Sequence, residues 1–224
     1  ALGGMVHVRT RRGRDIDAVH ARFQSASSLM PVVRSSTSAS TDEPTVLLAS
    51  LDSHAQAPLE REYALLRRTL QHTRGPAPVR LTLARVASLH ELREQLLRHR
   101  PQQFVLRASR PVDPPTRTYL FRLLATLWDW PRCLVLIAPQ GNALASALQG
   151  TAEQIIGLDA RLPEPFVDEF LAAFLTNTAR GRPVLAAFEH AAAAADVHDS
   201  PDEAHDTPVL VTRYHPPGLK TPPP

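Results

Sequence analysis

Asp52-Ser53-His54 puts a carboxylate, a hydroxyl and an imidazole in a row, and Ser109 and Cys133 add two further nucleophilic atoms. These are the groups of hydrolytic catalysis, in which a serine or cysteine attacks while an imidazole takes its proton and a carboxylate orients the imidazole. Spacing decides whether they can cooperate. Adjacent serine and histidine side chains on one turn rarely meet in attacking geometry, and the chain has no Gly-x-Ser-x-Gly elbow. Two apolar runs, Phe104 to Ser109 and Leu134 to Ala138, lead into Arg110-Pro111 and Pro139-Gln140-Gly141-Asn142. If both runs are strands of an open α/β sheet, those junctions lie in the crevice at its carboxyl edge. Neither junction carries a nucleophile with a base. Asp52, Ser53, His54, Ser109, Gln140, Asn142 and Asp159 are therefore expected to line a cleft, with no catalytic residue among them.

Other constellations point to less. Cys133 begins its strand instead of ending it, about five residues at roughly 3.3 Å each from the crevice, and is expected to be a buried structural thiol. Gly141, Gly150 and Gly157 match neither a P-loop nor a dinucleotide fingerprint, so no cofactor is implied. Asp196, His198, Asp199, Asp202, Glu203, His205 and Asp206 form an acidic stretch with two histidines, but nothing in their spacing fixes a coordination geometry, and no metal is expected. Phe166, Phe170 and Phe174 recur at helical spacing as core residues do, and Trp128 and Trp130 are expected to close a helix end over the sheet.

Residues 1 to 40 hold six arginines against two aspartates, a net charge of +4, which leaves −1 for the rest of a chain whose total is +3. The folded part is thus not a basic surface. Phe23 is the single aromatic residue among those arginines, too few to stack successive bases, so nucleic acid is not an expected partner. The longest apolar runs fall well short of the about 18 residues that span a bilayer, and nothing opens the chain as a signal peptide does. A cytoplasmic protein without membrane contact is the expectation.

Positioning these residues requires elements, and the pattern supplies them in alternation. Thr45 to Leu51 is an apolar run of strand length. Pro58 to Gln71 repeats Leu59, Tyr63, Leu66 and Leu70 as a helical stripe. Val79 to Val86 alternates as a second strand, and Ser88-Leu89-His90-Glu91 is a capping box that starts a helix through His99. The third strand, Phe104 to Ser109, precedes a helix from about Thr116 to Trp130, and the fourth, Cys133 to Ala138, precedes a short helix from Asn142 to Leu148. Gln154 to Leu158 is the fifth. Two helices follow, marked by Phe166, Phe170 and Phe174 and by Val184, Ala187 and Phe188, and broken at Arg180-Gly181-Arg182-Pro183, with Gly181 as C′ and Pro183 as N1. Val209 to Thr212 is the sixth strand. The fold class is α/β, a mainly parallel six-stranded sheet with helices on both faces. Residues 1 to 44 read as a basic arm and Ser-rich linker, 45 to 214 as the domain, and 215 to 224 as a Pro-rich tail.

Several stretches, taken in order, resemble the CHAT family of caspase-like domains, relatives of peptidase clan CD. They are Pro58-Leu59-Glu60-Arg61-Glu62-Tyr63, Ser88 to Pro101 before the strand at Phe104, Ile155-Ile156-Gly157-Leu158-Asp159 before Phe166 to Phe174, Gly181-Arg182-Pro183-Val184, and Thr207-Pro208-Val209-Leu210. The resemblance implies a three-layer caspase-like fold. In that family a Ser-Gly-His-Gly turn after the third strand holds the base, and Asn-Ala-Cys at the fourth holds the nucleophile. The matching stretches here are Ala108-Ser109-Arg110-Pro111 and Ile137-Ala138-Pro139, so the dyad falls on Arg110 and Pro139. Arginine stays protonated and proline has neither a nucleophilic atom nor an N–H for an oxyanion. The resemblance therefore implies a non-catalytic pseudo-protease that binds a protein partner, in a setting such as a bacterial signalling or defence assembly. The alternative is an active hydrolase whose nucleophile is Ser53, Ser109 or Cys133.

Overall fold

The computed structural model describes residues 44–52, 54, 56–73, 78–127, 131–196 and 208–212. The expected arm, most of the acidic stretch, Trp128, Trp130, Ser53 and the Pro-rich tail lie outside them. Among the described residues six strands and six helices follow one another, alternating except for the consecutive α5 and α6: β1 Thr45–Ser50, α1 Gln56–Gln71, β2 Arg80–Ala84, α2 Leu89–His99, β3 Gln103–Arg107, α3 Pro114–Thr126, β4 Cys133–Ala138, α4 Gly141–Ala147, β5 Gln154–Asp159, α5 Glu164–Ala179, α6 Val184–Ala195 and β6 Val209–Thr212. They form one sheet in the order β2-β1-β3-β4-β5-β6. β1 to β5 are parallel, and β6 runs antiparallel to β5, with Thr212 opposite Gln154 and Val209 opposite Gly157. The chain is thus an α/β protein with a mostly parallel sheet.

Period-two alternation divides the core between the two faces of the sheet. Val46, Leu48, Val105, Val135, Ile137, Ile156 and Leu158 pack with α1, α5 and α6. Leu47, Ala49, Phe104, Leu106, Leu134, Leu136 and Ile155 pack with α2, α3 and α4. β4 is buried along its whole length, as a strand covered on both faces must be. Each buried Leu, Ile or Phe contributes about 1.5–3 kcal/mol of transfer free energy, so this double core outweighs any single polar contact at the edges.

Several boundaries differ from the sequence reading for local reasons. α3 begins at Pro114, ahead of Thr116, because Asp113 caps it with a 2.7 Å bond from the Thr116 N–H and prolines fit the first helical turn. Its helical hydrogen bonding ends at Thr126, short of Trp130. Pro183 is the residue before α6 and not its first helical residue. Gly181, with φ of 78°, ends α5 in a Schellman arrangement: its N–H donates to Thr178 O at 2.9 Å and the Arg182 N–H to Asn177 O at 3.0 Å. The capping box at Ser88 forms, the Glu91 N–H donating to Ser88 Oγ at 3.2 Å, while the Glu91 carboxylate reaches one residue further back, to the Ala87 N–H at 2.7 Å.

Candidate functional site

The sheet order places the functional crevice between β1 and β3. β1 hands the chain to α1 on one face, β3 hands it to α3 on the other, and the gap outside the carboxyl ends of two such strands is where open α/β sheets bind ligands. In this chain that gap is bridged by its own residues. The Ser109 hydroxyl donates to Asp52 Oδ1 at 2.6 Å and the Ser109 N–H to Asp52 Oδ2 at 2.8 Å. Asp52 is fixed in turn by Ser50, whose hydroxyl donates to the Asp52 carbonyl at 2.6 Å and accepts from the Asp52 N–H at 3.2 Å. Below the bridge the ladder continues through the Leu51 N–H to Arg107 O, 2.8 Å.

That pairing bears directly on serine chemistry. The Ser109 hydroxyl is directed at a carboxylate, not at the imidazole with which serine catalysis pairs its nucleophile. His54 is exposed on the turn after β1. Asp52 and Ser109, assigned to the cleft from sequence, do meet, and they meet as a strap between strand ends.

The next pair of strand ends is equally occupied. β3 and β4 are neighbours, the Ala108 N–H donating to Ile137 O at 2.8 Å, and their register of Arg107 opposite Ile137 carries Pro139 to the level of Ser109. Arg110 is exposed and Pro139 half-buried. After Pro139 the chain turns sharply through Gln140, whose φ of 60° is left-handed, into α4. The turn passes so close to β5 that a Cβ on Gly141 would stand 2.0 Å from Leu158 O, and one on Gly157 2.6 Å from Gly141 O. Only glycines allow this approach. Asp159 secures it, accepting from the Gln140 N–H at 3.3 Å and from the Arg161 N–H, Nε and a terminal guanidinium nitrogen at 2.9, 3.0 and 2.8 Å. The hydrogen bonds from the Arg161 side chain, against an opposing effect of burial, hold the Asp159 carboxyl below its ordinary range. Asn142 lies within the first turn of α4, where its carbonyl accepts from Ser146 Oγ at 3.0 Å.

A buried ion pair beneath the crevice was not anticipated from sequence. Arg107, the last residue of β3, pairs with Glu62 of α1, their side chains 10% and 3% exposed. Glu164 and Asp168 of α5 add negative potential there, and Arg61 bridges to Glu164 at 2.8 Å on the surface. Burial lowers the Arg107 pKa, against attraction from Glu164 and Asp168, and burial raises that of Asp168, against attraction from Arg107. The pair ties α1 to the end of β3, so it holds one wall of the crevice in place. A signal for it existed: Glu62 falls on the Leu59–Leu66 stripe, where a carboxylate needs a buried partner.

The remaining candidates are dispersed. Cys133 is buried at the amino end of β4, the far edge from the crevice, and burial pushes its thiol up to about 12. Phe166, Phe170 and Phe174 are core residues, Phe170 stacking on Phe174 at 6.1 Å and meeting Phe188 edge-on at 5.8 Å between centroids. Among the described residues no group of three or more His, Cys, Asp or Glu side chains could hold a metal, and no helix is long and apolar enough to cross a membrane. A depression of about 300 Å³ lined by Tyr63, Arg67, Leu70, Val79 and Leu81 opens near the amino end of β2. No protein-family model and no curated protein matches the chain.

Proposed function

We propose that this chain is a catalytically inert protein-binding module, a degenerate relative of the CHAT family on a caspase-like frame. The observation that carries the reading is the strap across the crevice: the Ser109 hydroxyl, at the switch point, donates to Asp52. A serine nucleophile is ordinarily paired with an imidazole base, and among the described residues this hydroxyl is bonded to a carboxylate instead. The adjacency of the β3 and β4 ends supports the carried-over dyad, because it brings the Arg110 and Pro139 segments onto neighbouring strands. Cys133 stands at the opposite edge with a thiol held neutral at pH 7. What the carboxyl edge offers is a docking surface of exposed His54, Ser109, Arg110 and Gln140 on a rigid base, suited to a protein partner. The setting implied by the family, a bacterial signalling or defence assembly, belongs to the same proposal.

The test is chemical. Native protein treated with a fluorophosphonate probe and, separately, with iodoacetamide should show no stoichiometric label at Ser53, Ser109 or Cys133, while urea exposes Cys133 to full alkylation. One equivalent of label on any of the three in the native state, lost on its substitution, overturns the reading in favour of an active hydrolase.

A further inference from the structure

Away from the crevice, α3 turns an uncompensated basic and apolar face to solvent. Its inner side is settled by Leu120, Leu123 and Leu124, all buried in the core with α2 and α4. Its outer side carries Arg117, Thr118, Phe121 and Arg122, which with Ala147 of α4 border a shallow groove of about 280 Å³. The i, i+4 spacing of Arg117 and Phe121, and of Thr118 and Arg122, sets these four side chains in adjoining columns. Phe121 is 43% exposed, an unusual cost for a ring of that size beside a groove.

The charged side chains that border the groove among the described residues are of one sign. Neither α3 nor α4 contains an acidic residue. Asp113, just ahead of α3, has its carboxylate engaged in capping the Thr116 N–H at 2.7 Å. Arg117 and Arg122 take part in no ion pair among the described residues. Two free guanidinium groups flanking an exposed aromatic ring are the complement of carboxylates flanking an apolar side chain, since Arg binds carboxylate in bidentate fashion and the ring supplies the desolvated centre.

We propose that the α3–α4 groove is a docking site for an acidic linear segment of a partner protein, with one aliphatic or aromatic side chain seated against Phe121 and flanking Asp or Glu residues on Arg117 and Arg122. A protein segment is favoured over nucleic acid because the site is a concave groove around one ring, with two cations and no row of them to track a phosphate backbone. The site is separate from the carboxyl edge and does not depend on the function proposed above.

The experiment pans random nine-residue peptides displayed on phage against the intact chain, then measures the selected sequence as a fluorescein-labelled peptide by anisotropy. The expected result is enrichment of Asp and Glu around a single Leu, Ile, Phe or Trp, and affinity that falls as salt rises. The dissociation constant should rise at least tenfold in Arg117→Glu with Arg122→Glu, and at least fivefold in both Phe121→Ser and the milder Arg117→Gln with Arg122→Gln. Circular dichroism checks that each variant keeps its fold. Arg110→Glu, at the carboxyl edge, should leave this affinity unchanged, so the two readings fail separately. The proposal is overturned by an absence of enrichment, by selected peptides without acidic residues, or by affinities that ignore the groove variants. It is also overturned if a 20-nucleotide thymidine oligomer binds through the same arginines more tightly than the peptide. A synthetic peptide of residues 196–206 that competes as strongly as the selected peptide would make the occupant this chain's own acidic stretch, and would equally sink the assignment to a partner.

Discussion

Replacing Glu62 with glutamine leaves the Arg107 guanidinium buried beside a neutral amide. The two side chains are 3% and 10% exposed, so water cannot take over the role of the lost carboxylate. Removing one member of a buried ion pair costs about 3–5 kcal/mol. Glu164 and Asp168 remain nearby and still favour the Arg107 charge, which puts Glu62→Gln at the low end, about 3 kcal/mol. With a urea m-value of about 2 kcal/mol per molar, the unfolding midpoint should fall by about 1.5 M. Removing both charges is a different perturbation. Glu62→Leu with Arg107→Met takes away the Coulombic attraction together with both desolvation penalties, so the double variant should lie within about 1 kcal/mol of the parent or above it. The cycle is read by equilibrium urea unfolding followed by circular dichroism, with m-values compared so that only changes in midpoint at constant m are counted. A Glu62→Gln variant within about 1 kcal/mol of the parent would refute the reasoning, since it would mean that the pair is hydrated and does not anchor α1.

Gly157→Ala should destabilise by about 1–3 kcal/mol, because its Cβ meets the Gly141 carbonyl at 2.6 Å and the Ala145 Cβ at 3.0 Å and α4 must lift to make room; thermal unfolding reads it, and an unchanged midpoint would show that α4 is loosely seated. Asp159 governs an acid limb: its folded pKa lies below its unfolded value near 4, so its contribution is fully present above about pH 4 and is lost as pH falls through the folded pKa. Asp159→Asn should therefore lower stability at pH 7 and flatten the fall in stability below pH 4, which urea midpoints taken from pH 2 to pH 7 will detect; an unaltered acid limb would contradict the assigned role.

Periodicity made most of the frame legible. β4 at Cys133–Ala138 and β6 at Val209–Thr212 have the boundaries that their apolar runs suggest, because a strand covered on both faces has no polar residue to blur its ends. The direction of β6 was not legible, since direction depends on the connection and not on the four residues themselves. α3 was misplaced at both ends because Pro114-Pro115 reads as a breaker until Asp113 is seen to cap it. In the crevice, sequence brought Asp52 and Ser109 to the same edge, but a bond between residues 57 apart depends on β1 and β3 being neighbours. The Glu62–Arg107 pair escaped for a related reason: the Leu59–Leu66 stripe marks Glu62 as needing a buried partner, but that the partner is Arg107 depends on α1 packing over the end of β3.

The reversed sixth strand has a consequence for how the domain is hung. Thr45 opens β1 at the edge where Gln103, Cys133 and Gln154 begin their strands, and Thr212, opposite Gln154, closes β6 at that same edge. The first and last strands of the described sheet thus begin and end, respectively, at the edge opposite the crevice.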